Sequence, residues 1–135
     1  MNSYAIWFKR VVWVGILANV SFAVFAITRP EQLVATLNLG SLESAVWLFN
    51  YAVLLTLLSC FYMPAAHDPR RYIVNAWLLV AARIIPAITF VWGVAVAFMP
   101  PGFLTLGIGD FAVGAIEAIL LSLALKTGLQ KAKGY

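Results

Sequence analysis

Residues 72–99, YIVNAWLLVAARIIPAITFVWGVAVAFM, decide the fold class, because they carry one charged side chain, Arg83, in a long apolar stretch. An α-helix rises 1.5 Å per residue, so about 20 apolar residues cross a hydrocarbon core of about 30 Å. This stretch exceeds that length, and Pro100 and Pro101 follow it directly. It therefore predicts a membrane-spanning helix.

Three more apolar segments of similar length lie at 11–28, 44–63 and 103–125. The whole chain of 135 residues is 64% hydrophobic and 10% charged, whereas soluble domains are near half apolar and a quarter charged. The alternation typical of barrel strands is absent, and helices satisfy their own backbone hydrogen bonds in lipid. We predict an all-α fold, an integral membrane four-helix bundle that forms one domain over 1–135.

The first segment also fits a cleaved signal peptide. Lys9 and Arg10 precede it, and Val24 with Ala26 could form a cleavage site. We favour a retained helix, because the apolar run is longer than the roughly 7–15 residues of a signal peptide.

A short helix is predicted over residues 30–40, between the first two spans. Pro30 suits a first helical turn, Glu31 suits the positive end of a helix, and Gly40 suits its end. We expect this helix to lie in the membrane interface or to fold over the bundle.

Basic residues lie almost entirely on one side of the predicted membrane. That side carries Lys9, Arg10, Arg70, Arg71, Lys126, Lys131 and Lys133. The other side carries Arg29, beside Glu31 and Glu43. The positive-inside rule then predicts that both termini and the 64–71 loop are cytoplasmic, in the inner cell membrane. The basic excess is thus a topology signal, and we expect no nucleic-acid partner.

The predicted cytoplasmic loop 64–71 carries His67 before a chain turn at Asp68-Pro69, and Arg70 and Arg71 after it. We expect these three side chains to contact anionic lipid headgroups or a partner protein. With one histidine and one cysteine, Cys60, the chain predicts no metal site and no intrinsic cofactor.

Three ionisable residues, Arg83, Asp110 and Glu117, lie within predicted spans. Counting helix rise from the cytoplasmic ends places Arg83 about 16 Å deep and Glu117 about 14 Å deep on the next helix. We therefore predict an ion pair between these two residues. Asp110 is about 24 Å deep by the same count. We expect it to be beyond the reach of Arg83 and free to titrate.

Asn19 and Asn50 come to similar levels and complete a predicted intramembrane polar cluster. One interpretation is that these groups only hold the helices together, at about 0.6–2 kcal/mol per contact. The other is a proton path, an ion site, or a site for a quinone or lipid headgroup, because intramembrane charges commonly mark function. Both interpretations stay open at this point.

The fourth span also carries small residues at intervals of four. These are Gly114, Ala118 and Ser122, which continue from Asp110. Small side chains let helices approach closely in lipid. We predict that this face packs against the neighbouring helices.

Several short motifs, together with the length and the four spans, resemble one known group of proteins. They are Gly15 in the first span, Arg29-Pro30-Glu31 at the start of the outer helix, the run 61–72 (FYMPAAHDPRRY), the segment 75–78 (NAWL) and Arg83. The chain resembles the DoxX-like small four-helix bacterial membrane proteins. The resemblance implies a subunit or partner of a membrane redox system, often quinone-linked, and assigns no catalytic residue.

The leading hypothesis is an accessory subunit of a membrane-embedded complex, such as a respiratory or quinone-linked oxidoreductase, without catalytic activity of its own. The expected partners are the lipid bilayer and other membrane subunits, or further copies of the chain. The alternative is a small homo-oligomeric carrier or channel, coupled to protons or cations through an intramembrane carboxylate. A third reading, a small enzyme acting on a lipid or quinone, lacks a visible nucleophile–base pair.

Overall fold

A computed structural model describes residues 3–41, 44–96 and 98–133, and all regular structure in them is helical. The helices are α1 (Ser3–Thr28), α2 (Pro30–Leu37), α3 (Val46–His67), α4 (Ile73–Ala95) and α5 (Gly102–Lys133). The predicted all-α class is confirmed. Glu43 and the side chains of Lys131 and Lys133, which the charge pattern uses, lie outside the described residues.

The four long helices, α1, α3, α4 and α5, are each long and apolar enough to cross a membrane. They form a closed ring in which α1 packs against α3 and α5, and α4 packs against the same two helices. Large apolar side chains cover the outside of this ring. Such a surface suits acyl chains and not water, so the chain is a multi-pass membrane protein.

Three of the long helices, α1, α3 and α5, extend beyond the predicted spans at one end or both, whereas α4 is shorter than predicted. α1 begins at Ser3 because Ala5 and Phe8 are buried against the rest of the bundle. α5 runs to Lys133, whereas α4 stops earlier than predicted, at Ala95. The apolar stretches thus mark the part of each helix that can lie in hydrocarbon, and not the ends of the helix.

The buried face of α5 follows alternating steps of three and four residues. It comprises Gly107, Asp110, Gly114, Glu117, Leu121 and Ala124, of which Asp110 is half-buried. This spacing is that of helices packed at a shallow crossing angle. The predicted small-residue face is wrong at Ser122, which is exposed. Each step of four residues overshoots a full turn by about 40°, so a strict four-residue stripe drifts off the interface.

Two apolar clusters fill the bundle, one toward each end. The first surrounds Phe8, Val12 and Leu121, near the end that holds the 68–72 turn, which we call the basic end. The second surrounds Ala23 and Leu48, near α2 and the α4–α5 turn, which we call the hairpin end. The intramembrane charged residues lie between the two clusters.

α2 folds over the hairpin end, one of its two predicted placements. Its Leu33 and Val34 are buried in the second cluster. The helix ends at Asn38, in the left-handed conformation (φ 53°), and not at Gly40 as predicted. The Gly102 N–H donates to the Asn38 carbonyl oxygen at 3.2 Å, and a Cβ on Gly102 would collide with the α2 backbone. α2 is thereby fixed to the start of α5.

At the basic end, α3 continues through Pro64 to His67, so the prediction that Pro64 ends the helix and that His67 lies in a loop is wrong. Proline removes one backbone donor, and the helix resumes because Asp68 N–H donates to the Pro64 carbonyl at 2.9 Å. The predicted turn at Asp68 is present. The backbone N–H groups of Arg71 and Arg70 donate to its Oδ1 at 3.3 and 3.1 Å, which lowers the pKa of the Asp68 carboxyl.

Candidate functional site

The guanidinium of Arg83 lies between two carboxylates of α5. Its Nε is 3.2 Å from Glu117 Oε2, and its Nη1 is 3.1 Å from Asp110 Oδ1. The predicted Arg83–Glu117 ion pair is confirmed. The expectation that Asp110 stands apart is wrong, because the depth count followed the backbone and ignored the reach of a long arginine side chain. We call these three residues the charged triad.

The members of the charged triad differ in burial. The side chain of Glu117 is 0% exposed and that of Arg83 is 7% exposed, whereas that of Asp110 is 32% exposed. The Arg83–Asp110 contact has hydrogen-bond geometry, and the Arg83–Glu117 contact is a charge contact without an aligned hydrogen bond. Of the two acids paired with Arg83, Glu117 is therefore fully buried, and Asp110 is the one that a ligand could reach.

Two glycines make room for the side chain of Arg83. Gly15 of α1 lies against Arg83 Nη2, and a Cβ there would collide with that atom. On α5, a Cβ at Gly114 would lie 3.1 Å from Arg83 Cβ, which is a tight contact. The small residues of the α1 and α5 interfaces thus accommodate the arginine as well as the close approach of the helices.

A cavity of about 380 Å³ lies beside the charged triad, between the four long helices. We call it the Arg83 cavity. Its polar lining consists of Asn19, Tyr51, Tyr62, Arg83, Thr105 and Asp110. The rest of its wall is mostly apolar, as in most small-molecule sites, which measure roughly 300–1,000 Å³.

The two tyrosines of α3 were not predicted to belong to the site. Tyr51 and Tyr62 are eleven residues apart, close to three helical turns, and so face the same side of the helix. That spacing is the signal that could have identified them. Asn50, in contrast, is exposed on α3 and does not line the cavity. The structure therefore separates Asn50 from the predicted polar cluster, while Asn19 belongs to the cavity wall.

Unpartnered polar atoms face this region of the bundle. Among the described residues, Arg83 Nη2 and both oxygens of Glu117 have no hydrogen-bond partner. A buried donor without a partner costs about 1–3 kcal/mol. Two carboxylates also accompany one guanidinium, which leaves one carboxylate in excess if all three groups are ionised. The site thus has a free donor and a surplus of negative charge.

The predicted headgroup contacts lie at the basic end, apart from the Arg83 cavity. His67 is exposed, and the Arg71 guanidinium lies 5.5 Å from the centre of the Tyr72 ring. Arg70 is engaged within the protein, since its Nη2 donates to the Ala124 carbonyl oxygen at 3.0 Å. Arg70 thus joins the 68–72 turn to α5, and it is exposed, like Arg71 and His67.

Among the residues that the structure describes, no three histidine, cysteine, aspartate or glutamate side chains lie close enough together to hold a metal ion. No protein-family model, curated protein or solved structure matches the chain.

Replacing Arg83 with methionine is expected to lower the free energy of unfolding by about 3–5 kcal/mol, because two buried carboxylates lose their counter-charge. The variant Arg83→Met with Asp110→Asn and Glu117→Gln is expected to recover most of that loss, since neutral amides tolerate burial better than unpaired charges. Unfolding titrations in mixed micelles measure both. A triple variant no more stable than the single one would contradict the charge argument.

Proposed function

We propose that the chain is a membrane-embedded subunit of an oxidoreductase assembly, and that the Arg83 cavity binds the headgroup of a quinone-class molecule. The observation that carries this proposal is the side chain of Arg83, which lines the cavity and whose buried Nη2 has no hydrogen-bond partner among the described residues. A carbonyl oxygen placed in the cavity would satisfy this donor.

The chemistry of the lining favours a neutral acceptor. A quinone presents two carbonyl oxygens on an apolar ring, and the side chains of Arg83, Tyr51, Tyr62 and Asn19 can all donate hydrogen bonds. An anionic phospholipid headgroup fits less well, because Asp110 and Glu117 exceed the arginine in charge. Asp110 is also placed to exchange the protons that accompany quinone reduction.

Electrons would have to come from a partner protein. With one histidine and one cysteine, the chain cannot supply the two histidines of a bis-histidine haem or the ligands of an iron–sulfur cluster. The resemblance to DoxX-like proteins supports the same role. In this proposal the chain lies in the inner cell membrane, with its basic end on the cytoplasmic side.

Binding of decylubiquinone to the protein in nanodiscs tests the ligand. Asn19→Leu is expected to weaken binding at least roughly tenfold, because a donor is lost from the cavity wall, a difference of about 1.4 kcal/mol. Asn50→Leu is the matched control, since it makes the same change on the exposed side of α3. Equal affinities of the two variants, or no binding to the unaltered protein, would refute the ligand assignment.

Purification from native membranes in a mild detergent tests the assembly. The chain is expected to migrate with at least one redox subunit, which mass spectrometry would identify. A second preparation in a denaturing detergent controls for carry-over, since the partner should then separate. A chain that migrates alone in the mild detergent would refute the proposed subunit role.

The excess carboxylate favours one second candidate, a homo-oligomeric carrier coupled to protons or cations. Asp110 borders the cavity and is the more accessible acid of the charged triad. If the chain is a carrier, proton flux into liposomes should fall in Asp110→Asn and in Glu117→Gln, because each removes an ionisable carboxylate. Glu31→Gln serves as the control, because Glu31 is an exposed residue of α2. Unchanged flux in both variants would remove this role.

A further inference from the structure

The Arg83 cavity is open toward one seam of the ring, between α1 and α5. Its exposed lining residues lie mainly on these two helices, and include Val14 (66% exposed), Ala18, Thr105 and Gly109. Of the lining residues on α3 and α4, only Leu58, at 37%, is exposed. The opening is therefore lateral.

This opening lies at the depth of the acyl chains. Gly109 is seven residues from the start of α5 at Gly102, or about 10 Å along the helix. Ala18 is ten residues from the end of α1 at Thr28, or about 15 Å. With a hydrocarbon core of about 30 Å, both sides of the opening face lipid and not water.

Apolar clusters occupy both ends of the bundle. At the hairpin end, Leu33 and Val34 of α2 are buried among α1 and α3 residues. At the basic end, the cluster around Phe8 and Leu121 fills the space between the helices. These clusters favour entry of a ligand through the side of the bundle over entry along its axis.

Gly109 differs from Gly107 and Gly114, its neighbouring glycines in α5. A Cβ at Gly107 or Gly114 would make tight contacts with α4, so close helix packing accounts for those two glycines. A Cβ at Gly109 would meet no heavy atom within 4 Å. Glycine weakens a helix, and packing does not account for it at this position.

We propose that the ligand enters and leaves the Arg83 cavity from within the bilayer, between α1 and α5, and that Gly109 keeps this portal open. The ligand is then a membrane-dissolved amphiphile, with its polar head at Arg83 and its apolar tail lying between Val14 and Gly109. This inference rests on the proposed function, in that the cavity is taken to bind a ligand.

A second crevice, of about 270 Å³, lies between α3 and α4 and shares Leu58, Tyr62 and Ala82 with the Arg83 cavity. The buried Tyr62 ring stands where the two spaces meet. The Asn75 amide also donates to the Phe61 carbonyl oxygen at 3.3 Å, which joins α4 to α3 beside this crevice. Between α1 and α5, the lining of the Arg83 cavity is exposed at Val14, Ala18 and Gly109.

The exchange rate of radiolabelled decylubiquinone from loaded nanodiscs tests the portal. Gly109→Leu is expected to slow exchange at least tenfold, with no fall in Tm, because the added side chain occupies open space. Ala112→Leu is the matched control on an exposed part of α5, and Leu78→Trp obstructs the α3–α4 crevice. Both should exchange at the normal rate. Normal exchange in Gly109→Leu, or slow exchange in Leu78→Trp, would overturn the portal.

A measurement without ligand separates this inference from the proposed function. A spin label on Gly109→Cys, with the exposed Cys60 changed to alanine, should relax faster with oxygen, which dissolves in lipid, than with a water-soluble nickel chelate. Stronger relaxation by nickel would overturn the lateral portal even if decylubiquinone binds. If decylubiquinone does not bind but oxygen dominates, the proposed function fails and the lipid-facing opening stands.

Discussion

The structure depends on one constraint, a guanidinium buried at the middle of an apolar bundle. A charge in hydrocarbon costs several kcal/mol unless it is paired, so Arg83 requires acids at its own level. Asp110 and Glu117 meet that need from positions about two turns apart on α5. Gly15 leaves space for the guanidinium, and Gly114 leaves space for the Cβ of Arg83. The relative heights of α1, α4 and α5 are therefore fixed by this residue more strictly than by their interchangeable apolar contacts.

The fold could be predicted from the sequence because hydropathy and helix length are properties of each segment alone. The helix ends could not, since they depend on tertiary contacts. Phe8 extends α1 because the bundle buries it, and α3 passes Pro64 because the next turn supplies other hydrogen bonds. The end of α2 at Asn38 likewise depends on its bond to Gly102, a residue distant in sequence.

The site was predicted only in part, because the sequence gives the depth of a residue in the membrane but not the direction of its side chain around the helix. Helix rise gives the depth of each residue, so the Arg83–Glu117 pair could be found from spacing alone. Depth does not say which way a side chain points around a helix that is apolar on all sides. Asn50 therefore joined the predicted cluster, although it is exposed. Tyr51 and Tyr62 were missed because tyrosine in an apolar stretch has no polarity signal as clear as that of a charge.

The charge balance of the site helps to decide between two roles of the charged triad. It could serve only to hold the helices together, or it could also bind a ligand. A purely structural ion pair is most stable when charges match and every donor has an acceptor. Here one carboxylate is in excess, and Arg83 Nη2 has no partner among the described residues. Arg83 and Asp110 both line a cavity, although Glu117 is fully buried and Arg83 Nη2 packs against Gly15. A neutral acceptor would satisfy the donor, and a shared proton would balance the charge. In the proposed function, a carbonyl oxygen of a quinone would be that acceptor.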